Sequence, residues 1–186
     1  MVSREVIAEC SKGSRVAHQA FYEGTVRYVY ATVSRYIYDE EDKRDLVQEA
    51  FARIFTAIPT YNSKKGTINN WVRKVTINEC LMHLRKKKRL SYLAPIEDIE
   101  GQVAGDDPTA ALDRLTRTDI EALLANMPDG YRVVFVLSVL DGYDHSEIAE
   151  LLSIKTETSR SQLTRAKKWI KKNVINQTSN NAYGLL

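Results

Sequence analysis

Residues 144–172 read DHSEIAELLSIKTETSRSQLTRAKKWIKK, and this stretch decides how the C-terminal part of the chain folds. Three apolar residues with helical spacing, Ile148, Ala149 and Leu152, predict a short helix that packs on one face. A second set of apolar residues follows after a few polar positions. The pattern predicts a short helix, a tight turn and a longer helix, which is the arrangement of a helix-turn-helix.

The longer helix is strongly basic on one side. Leu163, Ala166 and Ile170 recur at helical spacing and predict its packed side, whereas Glu157 is the single acid among its cations. Such a helix can place its N-terminal half in a DNA major groove and its later part against phosphates. The alternative is a helical hairpin with a solvated cationic face. The cations are Arg160, Arg165, Lys167, Lys168, Lys171 and Lys172.

Length and composition limit the class of protein. A chain of 186 residues, 44% apolar and 27% charged, is typical of a soluble globular protein with one domain or two small ones. Cys10 and Cys80 have no metal-ligand spacing, so we expect two buried thiols in a reducing compartment. No apolar run reaches membrane-spanning length and the N-terminus lacks a signal-peptide core, so we expect a cytoplasmic protein without membrane insertion.

Charge is distributed unevenly, although the formal net charge is only +3. Two basic segments flank an acidic one, which suggests two contacts with a polyanion. The first basic segment contains Lys64, Lys65, Arg73, Lys74 and the run at residues 85–89, and the second is the long helix described above. The acidic segment contains Glu97, Asp98, Glu100, Asp106 and Asp107.

Apolar periodicity along the whole chain is helical rather than alternating. We therefore predict an all-α fold of two small helical domains joined by a flexible linker, with a helix-turn-helix in the C-terminal domain. A Lys-Gly-Ser break at residues 12–14 separates a short first helix from the next one. The further helices are expected at about residues 17–38, 39–58, 68–88, 109–124 and 128–140.

The sequence DLVQEAFARIF at residues 45–55 is amphipathic over its whole length. Asp45, Gln48, Glu49 and Arg53 share one side at helical spacing, opposite a broad apolar stripe. This polar side is either an ordinary solvated helix face or a docking face for a partner protein. The stripe consists of Leu46, Val47, Ala50, Phe51, Ile54, Phe55 and Ile58.

Four features of the first half resemble the core-binding and promoter-melting domain of bacterial RNA polymerase sigma factors. They are DLVQEAFARIF at residues 45–55, GTINNW at 66–71, Asn78, and HLRKKKR at 83–89. Residues 141–168 resemble the sigma domain that recognises the minus-thirty-five promoter element. The order of the two domains and the short segment between them resemble the extracytoplasmic-function (ECF) group.

The resemblance implies a function without chemistry of its own. It implies a protein that binds core RNA polymerase and directs promoter-specific initiation, with no cofactor, metal or catalytic residue. The corresponding boundaries are residues 1–89 for core binding and minus-ten recognition, 90–108 for the linker, 109–175 for the helix-turn-helix and 176–186 for a disordered tail. Proteins of this group are commonly held by an anti-sigma factor, which is a further expected partner.

Roles in the first domain are carried over residue by residue. The resemblance implies that the DLVQE helix docks on the polymerase through Asp45, Gln48 and Glu49. It implies that the next helix captures minus-ten DNA through Asn70, Arg73, Lys74, Asn78 and Arg85, as a positive groove captures single strands. The loop at residues 61–67 resembles a pocket for one flipped base, and we expect Trp71 to belong to the core.

Roles in the second domain follow the order of residues along the long helix. The implied readers of bases or base edges are Thr156, Glu157, Ser159, Arg160 and Gln162. The implied phosphate contacts are Arg165 and Lys168. Ser153 and Lys155 depart from the family pattern, because Gly usually makes the turn and Ser or Thr usually caps this helix. We therefore expect Thr156 to cap the helix instead. Ser159 also replaces a frequent Val, so we expect the inner packing of this helix to differ slightly.

Two other classes of protein remain as alternatives. A stand-alone helix-turn-helix regulator would bind double-stranded promoter DNA without polymerase, and a purely protein-binding helical module would leave both basic segments unexplained. An enzyme is disfavoured because His18, His83 and His145 are scattered and no phosphate-binding glycine loop is present.

Overall fold

The computed structural model describes residues 2–87 and 116–182, and all regular secondary structure in these two ranges is helical. The predicted all-α class is confirmed for them. The chain divides into two compact units, Met1–Lys86 and Lys87–Leu186. The predicted linker at residues 90–108 lies outside the described residues.

The first unit contains four α-helices and two short 3-10 turns. Helices α2, α3 and α4 pack against one another, and α1 packs on α2. Helices α3 and α4 belong to the same folded unit, so the solvent-facing sides of both helices lie on that unit. The helices are α1 (Arg4–Ser11), α2 (Arg15–Val33), α3 (Glu40–Ala57) and α4 (Ile68–Lys86), with 3-10 turns at Ile58–Thr60 and Ser63–Lys65 between α3 and α4.

Short polar residues set where these helices begin. Ser14 caps α2 by accepting a hydrogen bond from the amide of Ala17, and Gly13 adopts a left-handed φ of 81° in the break before it. Asp39 caps α3 by accepting from the amides of Glu41 and Asp42. The predicted break at residues 12–14 is confirmed by this geometry.

Helix α2 is shorter than predicted. It ends at Val33 rather than continuing to Tyr38, and the chain makes a turn in which Tyr36 and Ile37 are fully buried. Apolar residues continue at helical spacing through this turn, so periodicity alone could not show where the helix ends. The turn lets Asp39 start α3 in a new direction.

The core of the first unit is aromatic at one end. Phe55 lies with its ring centroid 5.9 Å from that of Phe21 and 5.8 Å from that of Phe51, and the His18 ring stacks on it at 4.4 Å. Fully burying one such side chain contributes about 1.5–3 kcal/mol. This packing holds the apolar side of α3 inward and leaves its polar side free to face outward.

The second unit ends in the predicted helix-turn-helix. Within residues 116–182, its helices are α5 (Arg117–Asn126), α6 (Asp129–Phe135) with one π-helical turn at Val136–Leu140, α7 (His145–Leu152) and α8 (Thr156–Ala182). Helix α8 packs on both α6 and α7. The core includes Leu123, Val133, Leu137, Ile148, Ala166 and Ile170.

One predicted helix boundary in this unit is wrong. Helix α5 begins at Arg117 rather than at residue 109, because Thr116 and Asp119 form a reciprocal capping box there. Helix α8 spans Thr156–Ala182. No Gly or Pro interrupts the sequence between Thr156 and Ala182, which allows the helix to propagate. Residues 109–115 and 183–186 lie outside the described ranges.

Candidate functional site

A polar, acidic face runs along α3. Asp45, Gln48 and Glu49 are all exposed, whereas Leu46 and Val47 between them are buried. The buried stripe continues through Ala50, Phe51 and Ile54. The three predicted docking residues are therefore brought together on one solvent-facing side of a helix whose other side is held in the core.

The acidic face of α3 continues onto α4 through an ion pair. Nε of Arg53 lies 3.8 Å from Oε1 of Glu79, and the side chain of Glu79 is only 15% exposed against 63% for Arg53. Burial raises the pKa of the Glu79 carboxyl above its ordinary value; Arg53 lowers it and the nearby charge of Glu49 raises it. This contact could not be predicted from local patterns, because its two partners are on different helices.

Helix α4 presents a row of polar side chains to solvent. Asn70, Lys74 and Asn78 are exposed at successive turns, and Arg85 is exposed near the end of the helix. Arg73 is half-buried. The opposite side is buried through Ile68, Val72, Thr76, Ile77, Cys80, Leu81 and Leu84. The predicted minus-ten residues thus share a helix, with Asn70, Lys74 and Asn78 forming one continuous row.

The loop before α4 is ordered by its own hydrogen bonds. The hydroxyl of Tyr61 donates to the carbonyl of Gly66 at 3.0 Å, and Oγ1 of Thr67 accepts from the amide of Asn70 at 3.2 Å. Gly66 has a φ of 145°, which only glycine adopts easily. The loop therefore curls back on itself directly beside the start of the polar row.

Trp71 differs from its predicted place. It is half-buried rather than part of the core, and its ring centroid lies 5.9 Å from that of Tyr61. Trp71 is next in sequence to the buried Val72, but its side chain lies at the boundary between the core and the solvent. An aromatic ring in this position remains available to a ligand in the loop at residues 61–67.

The helix-turn-helix has a capped start and an unusual residue in its turn. Asp144 and Glu147 form a reciprocal capping box at the start of α7. Ser153 adopts a left-handed φ of 56°, the conformation that glycine favours at the end of a helix. The amide of Ile154 then donates to the carbonyl of Ala149 at 3.0 Å, which closes the turn.

Two predicted base readers are buried, and one predicted cap is wrong. Ser159 and Gln162 are only 0% and 1% exposed, because the packed side of α8 runs through these polar residues to Ala166 and Ile170. Side chains in the interior cannot reach a base edge. Thr156 is the first residue of α8 rather than its cap, and the carbonyl of Lys155 accepts the first helical hydrogen bond, from the amide of Ser159.

The remaining predicted residues of α8 lie on its outer side. Glu157 and Arg160 are exposed, and Thr156, Arg165 and Lys168 are half-buried. Sequence reasoning missed Ser161 and Thr164, which are exposed beside Arg160. These two residues could have been predicted from their position on the side of the helix opposite the packed stripe. That prediction requires Ser159 and Gln162 to be counted as part of the stripe.

Known protein families match both units. Residues 21–90 match Sigma-70 region 2, and residues 117–170 match Sigma-70, region 4. The first match contains α3, the loop and α4, and the second contains the helix-turn-helix.

The chain belongs to the sigma-70 family.

Its relatives are ECF sigma factors. It is 29% identical over 157 residues to the ECF RNA polymerase sigma factor SigE of Mycolicibacterium smegmatis, covering 83% of this chain and 60% of that protein. It is 26% identical over 183 residues to SigW of Bacillus subtilis, covering 92% of this chain and 96% of that protein. The two relatives thus differ in how much of their length this sigma-70 chain spans.

A solved structure has the same fold. The chain is similar to CnrH, solved in complex with the cytosolic domain of CnrY, with a TM-score of 0.52 and 16% identity over 95% of this chain and 99% of that one. At this identity the likeness concerns the fold alone.

The described part of this sigma-70 protein contains no candidate metal site and no candidate membrane-spanning helix. Within residues 2–87 and 116–182, no group of His, Cys, Asp and Glu could hold a metal ion, and the thiols of Cys10 and Cys80 are buried. No helix in the same ranges is long and apolar enough to cross a bilayer.

Proposed function

We propose that this chain is an ECF-type sigma factor that binds core RNA polymerase and directs it to promoters with recognised minus-thirty-five and minus-ten elements. The observation that carries the proposal is the pairing of two chemically different faces on one folded unit. One is the acidic face of α3 and the other is the polar, basic row of α4. A protein that only bound DNA would have no use for the acidic face.

The acidic face of α3 is the proposed polymerase-docking surface. Asp45, Gln48 and Glu49 are exposed and anchored by a buried helix side, so they need no rearrangement to meet a partner. Two carboxylates and an amide suit a basic partner surface, because charge complementarity speeds association and fixes orientation. DNA is a poor partner for this surface, since its phosphates repel carboxylates.

The row of α4 is the proposed minus-ten surface. Asn70 and Asn78 can hydrogen-bond base edges, while Lys74 between them neutralises phosphate. The loop at residues 61–67, with Trp71 beside it, is the proposed receptor for a base that leaves the stack. Arg73 and Arg85 are proposed phosphate contacts of the same strand.

Helix α8 is the proposed minus-thirty-five reader, with a revised set of residues. Arg160 is the proposed principal base contact, and the exposed Glu157, Ser161 and Thr164 join it in place of Ser159 and Gln162. The first helical residue, Thr156, is retained at the edge of the set. Arg165 and Lys168, one to two turns later, are proposed phosphate contacts.

The cellular location of the protein and one further partner follow from the same proposal. Because core polymerase and the chromosome are in the bacterial cytoplasm, we infer that this is where the protein works. CnrH was solved in complex with the cytosolic domain of CnrY, so an anti-sigma factor is also proposed as a partner here.

DNA binding with and without core polymerase tests the proposal against a stand-alone regulator. A sigma factor is expected to protect promoter DNA only when core polymerase is added, and to open the duplex there. A stand-alone helix-turn-helix regulator would protect double-stranded DNA alone and would gain nothing from the polymerase. Tight, sequence-specific binding by the free chain without any effect of core polymerase would contradict the proposal.

A further inference from the structure

A partly buried hydrogen bond joins the two helices of the helix-turn-helix. Oγ of Ser159 on α8 lies 2.8 Å from Nδ1 of His145 on α7. A hydroxyl can both donate and accept, so this bond forms with either tautomer of the ring. Ser159 is fully buried, and the bond therefore satisfies a polar group that would otherwise be costly inside the protein.

The two ends of the bond lie at positions that matter for DNA reading. His145 is the first residue of α7, directly after the Asp144 capping box that fixes where α7 begins. Ser159 directly precedes Arg160, the exposed cation on the outer side of α8. The bond thus connects the fixed start of one helix to the base-facing part of the other.

A small rotation of α8 would change what Arg160 can reach. Side-chain tips lie about 5–6 Å from a helix axis, so a rotation of about 20° moves a tip by about 2 Å. Hydrogen bonds to a base edge are lost over a smaller displacement than that. The bond between Ser159 and His145 depends on the angle between donor and acceptor, so it restricts the rotation of α8 in addition to the non-directional apolar contacts of Ala166 and Ile170.

We propose that Ser159 and His145 form a positioning pair that sets the rotation of α8 and thereby determines which bases Arg160 reaches. The inference rests on the proposed function, because it assigns this role within a DNA-reading helix. It gives the buried serine a role in sequence specificity without any contact to DNA.

The test is a selection of upstream promoter elements from a randomised library by the holoenzyme. Ser159→Ala and His145→Leu each remove the bond, whereas His145→Asn keeps a hydrogen-bonding atom close to the position of Nδ1. We expect the first two variants to select a changed motif and His145→Asn to select the parental one. The affinity of Ser159→Ala and of His145→Leu for the parental motif should fall about 2- to 10-fold, as for the loss of one hydrogen bond.

Controls separate positioning from folding and from reading. Ser146→Ala alters an exposed serine beside His145 and should select the parental motif. The double variant Ser159→Ala, His145→Leu should behave like either single variant, because both remove the same bond. Circular dichroism of each variant must show the parental helix content.

The outcomes distinguish this inference from the proposed function. If Arg160→Ala changes the motif while folded Ser159→Ala and His145→Leu keep it, the positioning pair is refuted and the reading helix stands. If no variant on either helix changes the motif, the reading helix fails and the inference fails with it. A changed motif with Ser159→Ala that His145→Asn does not share supports the inference.

Discussion

The guanidinium of Arg53 on α3 lies 3.8 Å from the carboxylate of Glu79 on α4, so one ion pair links the proposed polymerase-docking face to the helix of the proposed minus-ten row. Arg53 is mostly exposed, and an exposed pair of this kind contributes only about 0–1 kcal/mol. Glu79 is the more deeply buried partner. The pair therefore matters more for what it does to Glu79 than for the stability it adds.

Replacing Glu79 should stabilise the first unit at neutral pH. Burial raises the pKa of its carboxyl above the ordinary 4.5, so the folded state holds the proton more tightly than the unfolded chain. This contribution favours folding below about pH 4.5 and is lost as the pH rises through the raised pKa. We expect Glu79→Gln to unfold at a higher urea concentration than the parent near pH 7 and at a similar one near pH 4.

The measurement should report the first unit alone. The chain has two tryptophans, Trp71 in the first unit and Trp169 in the second, so fluorescence of Trp71 in a Trp169→Phe background serves this purpose. Arg53→Gln is the control, because it removes the partner charge and leaves the buried carboxyl. A Glu79→Gln variant less stable than the parent near pH 7 would show that the ion pair outweighs burial.

Reversing the charge of Glu49 should weaken binding to core polymerase. Glu49 is exposed on a helix whose other side is buried, so the substitution should spare folding. Glu49→Lys would place like charges together in a proposed interface and should cost about 2 kcal/mol or more, roughly 30-fold in affinity. The control is Glu9→Lys, the same change at an exposed site on α1, and the measurement is a titration of core polymerase by fluorescence anisotropy. Full affinity of a folded Glu49→Lys variant would remove Glu49 from the docking surface.

Removing the polar row of α4 should impair promoter opening without affecting polymerase binding. The triple variant Asn70→Ala, Lys74→Ala, Asn78→Ala loses the groups proposed to capture the melted strand, so the bubble should form less often. Permanganate footprinting of unpaired thymines measures this. Asn69→Ala, an exposed neighbour outside the row, is the matched control. Equal opening by the parent and the triple variant would make the row an ordinary solvated face.

Short-range rules explain which parts of the fold could be predicted from the sequence. The capping box of Asp144 and Glu147, the break around Gly13 and the solvent side of α3 each depend on residues within a few positions of one another. These features follow from local chemistry that is the same in any helical protein. The exposure of Asp45, Gln48 and Glu49 on one side of α3 could be predicted for the same reason, since it depends only on the helical period.

Long-range contacts explain what could not be predicted. Ser159 is buried because a histidine 14 positions earlier satisfies its hydroxyl, and apolar periodicity cannot report a polar residue in a core. The end of α2 at Val33 depends in the same way on the burial of Tyr36 and Ile37 in the turn that follows it. The contact between Arg53 and Glu79 joins two helices and leaves no local pattern in either.

Arg160 and Lys168 should differ in what they contribute to promoter choice. A bidentate contact from Arg160 to guanine is worth about 1–3 kcal/mol of discrimination, so Arg160→Ala should relax preference at particular upstream positions. Lys168, two turns later and half-buried, should meet phosphate only. Lys168→Ala should weaken all promoters alike and lower the salt dependence of binding by about one unit. Holoenzyme binding to a panel of upstream sequences at several salt concentrations measures both effects. A uniform loss with Arg160→Ala would assign it to phosphate instead.

Transcription from genomic DNA by purified core polymerase, with the start points mapped by sequencing, tests the central claim most directly. With the parental chain we predict discrete start points, each preceded by shared sequences at the minus-ten and minus-thirty-five positions. Core polymerase alone, or with Glu49→Lys, should give far fewer of them. Identical transcripts with and without the folded chain would contradict the assignment of this protein as a promoter-specificity factor.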